Sequence, residues 1–161
     1  MCGIIGIASK ELESKPAYEN VVRAERMLQQ IFHRGPDGAR VACSIDNKAI
    51  FGTSTLSIVP TLYGPGPFQS PDKGLMLAYN GEVYNYKELG REWKVDDLEH
   101  RCDSEIVLAG YEREGISFVR KLRGMFAFAI YDKLTSNVVV YRDRLGEKPI
   151  YYRLRESTFT F

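Results

Sequence analysis

The apolar positions change period along this chain, and each change marks an element. From Cys2 to Ala8, "CGIIGIA", they are nearly continuous and rich in isoleucine, the pattern of a strand covered on both faces. Over 19–32 the spacing turns helical: Val21, Ala24, Leu28 and Ile31 recur on one face while Arg23, Glu25, Arg26 and Gln30 fall elsewhere. "HRGPDG" ends that run with two glycines and a proline. Residues 41–45 and 49–53 read as a hairpin about Asp46-Asn47. "TLYGPGPFQSPDKG" is a long loop of turn formers, and loops of that length in compact domains often carry function. "LMLAYNGEVYNY" has the pattern of a strand, an Asn-Gly turn and a second strand. A helix is expected from Asp103 to Glu114, with Asp103 or Ser104 as N-cap, Ile106, Val107 and Tyr111 on the buried face, and Gly115 as terminator. "GMFAFAIYDKLTSNVVVYRD" then reads as two strands joined by a polar turn, and "KPIYYRLRESTFTF" as two more.

Strand, helix, strands, helix, strands: the succession predicts an α+β fold with mainly antiparallel sheet. The 161 residues suit one domain with a real core, and no repeat or linker divides them, so 1–161 is expected to be a single unit. The closing "TFTF" stops on an apparent strand with no cap or polar tail, which suggests one part of a longer chain, with a naturally short, stand-alone protein as the alternative. The balance of 22 basic against 21 acidic residues leaves a net charge of +1, which provides no basic field to collect nucleic acid or anionic lipid. Basic clusters at Arg120, Lys121 and Arg123 and at Arg142, Arg144 and Lys148 read as solvated faces or partner-docking edges. The opening apolar run reaches only Ala8 before Lys10, Glu11 and Glu13 and has no basic segment before it. It is neither a secretory signal nor a membrane span, and a cytoplasmic protein is expected. Cys2, Cys43 and Cys102 are an odd count without CxxC spacing, which argues against a disulfide framework and a zinc site.

Most catalytic patterns are missing, and with only His33 and His100 a Cys-His or Ser-His pair has few candidates. Nucleophilic chemistry here would have to proceed without histidine. Cys2 offers a way, because removal of Met1 would leave a thiol on the residue that also carries the α-amine. That amine titrates near ~8 and can serve as general base, directly or through one water. Gly3 beside it leaves room for a substrate to approach. The bland alternative is a small buried hydrophobe. Asn80-Gly81 is either a type I′ turn or an oxyanion hole, in which the Asn80 amide and the Gly81 N–H donate to a developing negative oxygen. Asp103 is either a helix cap or a ligand for an ammonium group.

The stretches "MCGIIG", "HRGPDG", "LAYNGEVYNYKEL" and "GMFAFAIYD" running on to "RDRLGEKPIYY" extend over nearly the whole chain. In this order and as a set they resemble the glutaminase domain of class II glutamine amidotransferases, in the branch found in glutamine-dependent asparagine synthetases. The resemblance implies an N-terminal nucleophile hydrolase fold, an αββα four-layer sandwich with two antiparallel sheets. It implies that Cys2 attacks the side-chain amide of glutamine, giving a γ-glutamyl thioester and ammonia, and that water then releases glutamate. Asn80 and Gly81 inherit the oxyanion hole, Asp103 the α-ammonium of glutamine, Glu82 a place in the pocket wall, and Arg34 the ordering of the loops around the site. The segment Thr55, Leu56, Ser57, Ile58 and Val59 inherits substrate binding. No cofactor or metal is implied for this domain. ATP and magnesium belong to a synthetase domain whose SGGxDS loop does not occur in the sequence. The implied partners are L-glutamine and a synthetase domain or subunit that takes the ammonia, as in asparagine biosynthesis.

One position departs from the pattern. Where asparagine synthetases usually read histidine, any residue, then "RLSI", this chain has "TSTLSI", so the arginine expected to pair with the α-carboxylate of glutamine is Thr55. A charge-assisted hydrogen bond contributes roughly 1.5–3 kcal/mol, or about ten- to a hundredfold in affinity. Three consequences are open: weaker glutamine binding, replacement by an arginine from elsewhere, or a module that has lost catalysis or taken another amide.

Overall fold

β1 (Gly3–Ser9) shows how the sandwich is assembled. It turns Ile5 and Ile7 to one side and Ile4 and Ala8 to the other, so both faces need a cover. In the computed structural model, which describes residues 2–14, 17–56, 66–72, 74–98 and 101–161, the first face is covered by α1 (Ala17–Gln30). Ala24 and Leu28 of this helix pack on Ile5, Ile7 and Ile50, the last from β3 (Ala49–Thr55). β1 pairs antiparallel with β3, and β3 with β2 (Gly38–Cys43). The free edge of β1 takes β9 (Thr158–Thr160), which pairs with β8 (Arg153–Arg155). The five-stranded order is β2-β3-β1-β9-β8.

The second face of β1 meets another antiparallel sheet, ordered β4 (Phe68–Gln69), β5 (Leu75–Val83), β6 (Gly124–Asp132) and β7 (Asn137–Arg142). Between the sheets lie Ala49 and Phe51 from one side and Met76, Ala78, Ala129 and Tyr131 from the other. The three alanines, Ala49, Ala78 and Ala129, make room for the larger Phe51, Met76 and Tyr131. Phe161 fills the remaining space by lying over Gly6, where a Cβ would come within 2.1 Å of its ring. The outer face of the second sheet buries Leu77, Tyr79, Val83, Phe126, Phe128 and Ile130 under α2 (Tyr86–Glu92) and α3 (Asp103–Glu114), through Leu89, Ile106 and Val107. Each fully buried phenylalanine, such as Phe51 or Phe128, contributes roughly 1.5–3 kcal/mol of transfer free energy. The layers therefore run helix, sheet, sheet, helices: the αββα sandwich with two antiparallel sheets that the motifs implied.

Several local expectations hold. The β2–β3 hairpin turns at Asn47, whose φ of 56° is the left-handed conformation asparagine tolerates. Asp46 in that turn accepts a hydrogen bond from Tyr131 Oη at 2.5 Å, tying the hairpin to β6 across the sandwich. α3 covers Asp103–Glu114 and ends at Gly115 with φ 59°. Its N-cap, however, is Cys102, whose Sγ and backbone N–H form a capping box with Glu105, so Asp103 stands in the first turn. The Asn-Gly turn is absent. β5 runs unbroken through both residues, with Asn80 opposite Ala127 and Gly81 opposite Phe126, because nine consecutive pairs with β6 outweigh the local turn preference. The residues after it form the helix α2 instead of a second strand. Among the described residues no helix is long and apolar enough to cross a membrane.

Candidate active site

β4 pairs only with Leu77 and Met76, so the edge of β5 from Ala78 to Val83 has no strand neighbour among the described residues. Which groups face that edge follows from alternation. The Tyr84 N–H donates to Arg123 O, toward β6. Even-numbered N–H groups of β5 therefore point to β6 and odd-numbered ones away from it. The Val83 N–H bears this out by donating to Asp103 Oδ2 at 2.9 Å. The Gly81 N–H is directed to the same open edge. A Cβ at Gly81 would lie 2.3 Å from Met125 O, so only glycine keeps β5 seated on β6 here. The Asn80 side chain is on the face of Met76 and Ala78, toward the other sheet, and the residue is 5% exposed.

Cys2 arrives from that other sheet. One step beyond the pair Gly3↔Ser54, the register brings it level with Thr55, and alternation turns its side chain the same way as Ile4 and Ala8, toward β5. "HRGPDG" wraps this end of the sheet. Arg34 Nε donates to Cys2 O at 3.4 Å, the Asp37 N–H donates to Thr55 O at 3.0 Å, and Pro36 bridges to Thr55. Arg34 thus links the loop to the backbone of Cys2. Gly3 serves differently from the expectation. Its missing Cβ leaves space that Ser54 Oγ and Ile31 Cδ1 already occupy, 2.6 and 2.8 Å from where the atom would be, so packing takes the room reserved for a substrate.

Asp103 comes from the helix side of β5. Its Oδ2 accepts from Tyr79 Oη at 2.5 Å and from the Val83 N–H, and its Oδ1 from the Ser104 N–H at 2.9 Å. A carboxylate has about four acceptor positions, so three donors leave one on Oδ1. Burial, then the neighbouring Asp103 charge and the hydrogen bond to it, push the Tyr79 phenol well above its ordinary pKa. Tyr79 therefore remains a protonated donor. The pattern of apolar positions marked Tyr79 only as part of a strand, since nothing local says which carboxylate its hydroxyl meets.

Residues 1–161, the whole chain, match a family model described as a glutamine amidotransferase domain. The chain belongs to the class II glutamine amidotransferases. It is 36% identical over 153 residues to the glutamine-hydrolyzing asparagine synthetase 2 of Bacillus subtilis (strain 168), covering 94% of this chain and 20% of the relative. To asparagine synthetase B of Escherichia coli (strain K12) it is 35% identical over 152 residues, 94% of this chain and 26% of the relative. To the glutamine-hydrolyzing asparagine synthetase 2 of Oryza sativa subsp. japonica it is 32% identical over 151 residues, 94% and 25% respectively. The chain therefore spans about a fifth to a quarter of the length of these relatives.

In this amidotransferase domain the segment expected to bind substrate is described in part. Thr55 ends β3, and its hydroxyl is buried without a hydrogen-bond partner among the described residues. Leu56 is 37% exposed, while Ser57, Ile58 and Val59 lie outside the described residues, as do Met1 and His100. Glu82 is exposed beside the open edge. Among the described residues no group of three or more His, Cys, Asp or Glu is placed to hold a metal ion. A cavity of ≈ 500 Å³ opens beside the site, between β4 and α3. It includes Arg101 and Glu105, on either side of Asp103, but neither Cys2 nor Asn80.

Proposed function

We propose that this amidotransferase domain hydrolyses L-glutamine through Cys2 and passes the ammonia to a synthetase domain or subunit of the asparagine synthetase type. Removal of Met1 frees the α-amine of Cys2. Sγ then attacks the side-chain carbonyl carbon of glutamine while the amine takes the thiol proton. The negative oxygen of the tetrahedral intermediate meets the Asn80 amide and the Gly81 N–H, and donors of this kind are each worth on the order of a hundred- to a thousandfold in rate. Collapse returns the proton to the leaving nitrogen and leaves a γ-glutamyl thioester. Water, deprotonated by the same amine, attacks this thioester and releases glutamate. Asp103 receives the α-ammonium on its remaining Oδ1 position. The scheme asks for no metal or cofactor in this domain, and ATP with magnesium belongs to an attached acceptor half.

The observation that carries the reading is the convergence at one strand edge: the Gly81 N–H and Asp103 on the edge itself, with Asn80 and Cys2 on the facing surfaces of the two sheets. Thr55 supports a second reading, a module of the same fold with impaired catalysis and an interaction or regulatory role. Intact mass and ammonium release separate the two. A glutaminase lacks Met1, takes one adduct at Cys2 from a glutamine-like diazo ketone, and releases ammonium that a Cys2→Ser variant does not. Retained Met1, with labelling only at Cys43 or Cys102, would favour the module.

A further inference from the structure

We infer that Arg40 supplies the cation for the substrate's α-carboxylate that position 55 lacks; this rests on the glutaminase reading above. Within β2 and β3, Arg40 stands opposite Thr53 and Gly38 opposite Thr55, which makes Arg40 the diagonal neighbour of Thr55. Diagonal positions on one sheet face are roughly 7–8 Å apart, within reach of a long side chain. The face is the right one. Val41 and Cys43 pack toward α1, whereas Ala42 packs between the sheets, and Arg40 shares the side of Ala42. Arg40 there lines the ≈ 500 Å³ cavity that also takes in Arg101 and Glu105.

The ammonium and carboxylate of a free amino acid sit on one carbon, so a cation serving the carboxylate must act close to the ligand position of Asp103. Other cations around the site are less suited. Arg34 is spent on Cys2 O. Arg101 is held by Glu105 at 2.5 Å and donates to Asp96 O. Arg113 is ten residues along α3 from Asp103, about 15 Å at ~1.5 Å per residue. Lys94 offers a point charge where a guanidinium offers a planar fork matched to a carboxylate. Arg40 has no hydrogen bond or ion pair to any other described residue. Of the acidic groups in the cavity, Glu105 is taken by Arg101, and neither Asp96 nor Glu112 comes within ion-pair distance of Arg40. Its five donors are therefore available for a planar anion.

The ligand chemistry follows. The domain selects an amino acid with a free α-carboxylate and discriminates against glutamine amidated or peptide-bonded there. Ammonium release from glutamine and from glutaminamide, its α-amide, tests this in the mature protein and in Arg40→Gln. The substitution should raise KM for glutamine about ten- to a hundredfold with kcat within about twofold, and should collapse the preference for glutamine over glutaminamide toward one. Adding Thr55→Arg to Arg40→Gln should restore both KM and preference. An Arg40→Gln enzyme with wild-type KM and undiminished preference overturns the assignment while leaving the glutaminase reading intact. Absence of ammonium release by correctly processed wild-type protein would overturn that reading instead, and the assignment with it.

Discussion

Replacing Tyr79 by phenylalanine removes one oxygen atom from beneath Asp103 and leaves the ring packed against Phe128, 6.3 Å away between centroids. What is lost is a hydrogen bond from a buried phenol to a carboxylate, a class that contributes roughly 1.5–3 kcal/mol. Asp103 is only half-buried and keeps its bonds from the Val83 and Ser104 N–H groups, so water can replace the phenol in part and the low end of that range applies. A loss of about 1.5 kcal/mol lowers the melting temperature by roughly 3–6 °C in a chain of this length. If Tyr79 aims the carboxylate at the substrate's ammonium, KM for glutamine should also rise about five- to tenfold while kcat stays within about twofold. Initial rates of ammonium release across glutamine concentration, alongside thermal unfolding, give both readouts. Tyr111→Phe is the control. It removes a phenol whose bond to Asp132 is long, at 3.4 Å, and stands away from the site, so it should leave KM alone. A Tyr79→Phe protein that melts lower but binds glutamine normally would refute the reasoning, and would make Asp103 a tie between α3 and β5 and nothing more.

Two further outcomes follow from the same structure. Gly81→Ala places a Cβ 2.3 Å from Met125 O and 2.6 Å from Phe126 Cα, backbone atoms that cannot swing aside. It should lower the melting temperature by more than about 5 °C and ammonium release by at least about a hundredfold, and a variant with wild-type melting would show that β5 is seated differently. Asp143 is 6% exposed, and burial alone would raise its pKa. The Lys148 and Glu147 N–H groups, each donating at 2.9 Å, outweigh burial and hold the carboxyl below its ordinary value. Its stabilisation is then complete above the unfolded carboxyl pKa of about 3.9 and is lost as pH falls from there through the lower folded pKa. Unfolding free energies from pH 7 to 2 should show Asp143→Asn less stable than wild type at neutral pH, with the difference closing below about pH 4; a difference constant with pH would exclude the linkage.

Much of the fold was legible because its elements bury regular faces. The continuous apolar run of β1 is the signature of a strand between two layers, and that is where it lies. The helical spacing of α1 and the span of α3 were equally plain, since one face of each has a single core to meet. What failed was what depends on a distant partner. Asn80-Gly81 has the chemistry of a turn, and only pairing with β6, some forty-five residues later in the chain, keeps it extended. α2 was missed because a seven-residue helix offers little periodicity beyond Leu89 and Trp93, both of which need the underside of the sheet to explain them.

The candidate site was legible as motifs and not as chemistry. Cys2, Asn80, Gly81 and Asp103 each had a bland local reading, and the resemblance chose among them. Tyr79 stands inside a quoted motif that gives its hydroxyl no role, and Arg40 stands in none; the first emerges from its bond to Asp103 beside the edge of β5 and the second from the diagonal of β2 and β3. Register also explains why the site needs so little sequence to specify it. A slip of one residue in β5 would turn Tyr79 into the space between the sheets and Asn80 toward the helices, exchanging a core aromatic for an amide. The burial of Leu75, Leu77, Tyr79 and Val83 against the helical layer forbids that slip. The same hydrophobic contacts that hold the outer half of the sandwich therefore place the Asn80 amide opposite β1 and point the Gly81 N–H at the open edge. Any substitution that weakens that core by favouring the slipped pairing should damage catalysis before it unfolds the protein.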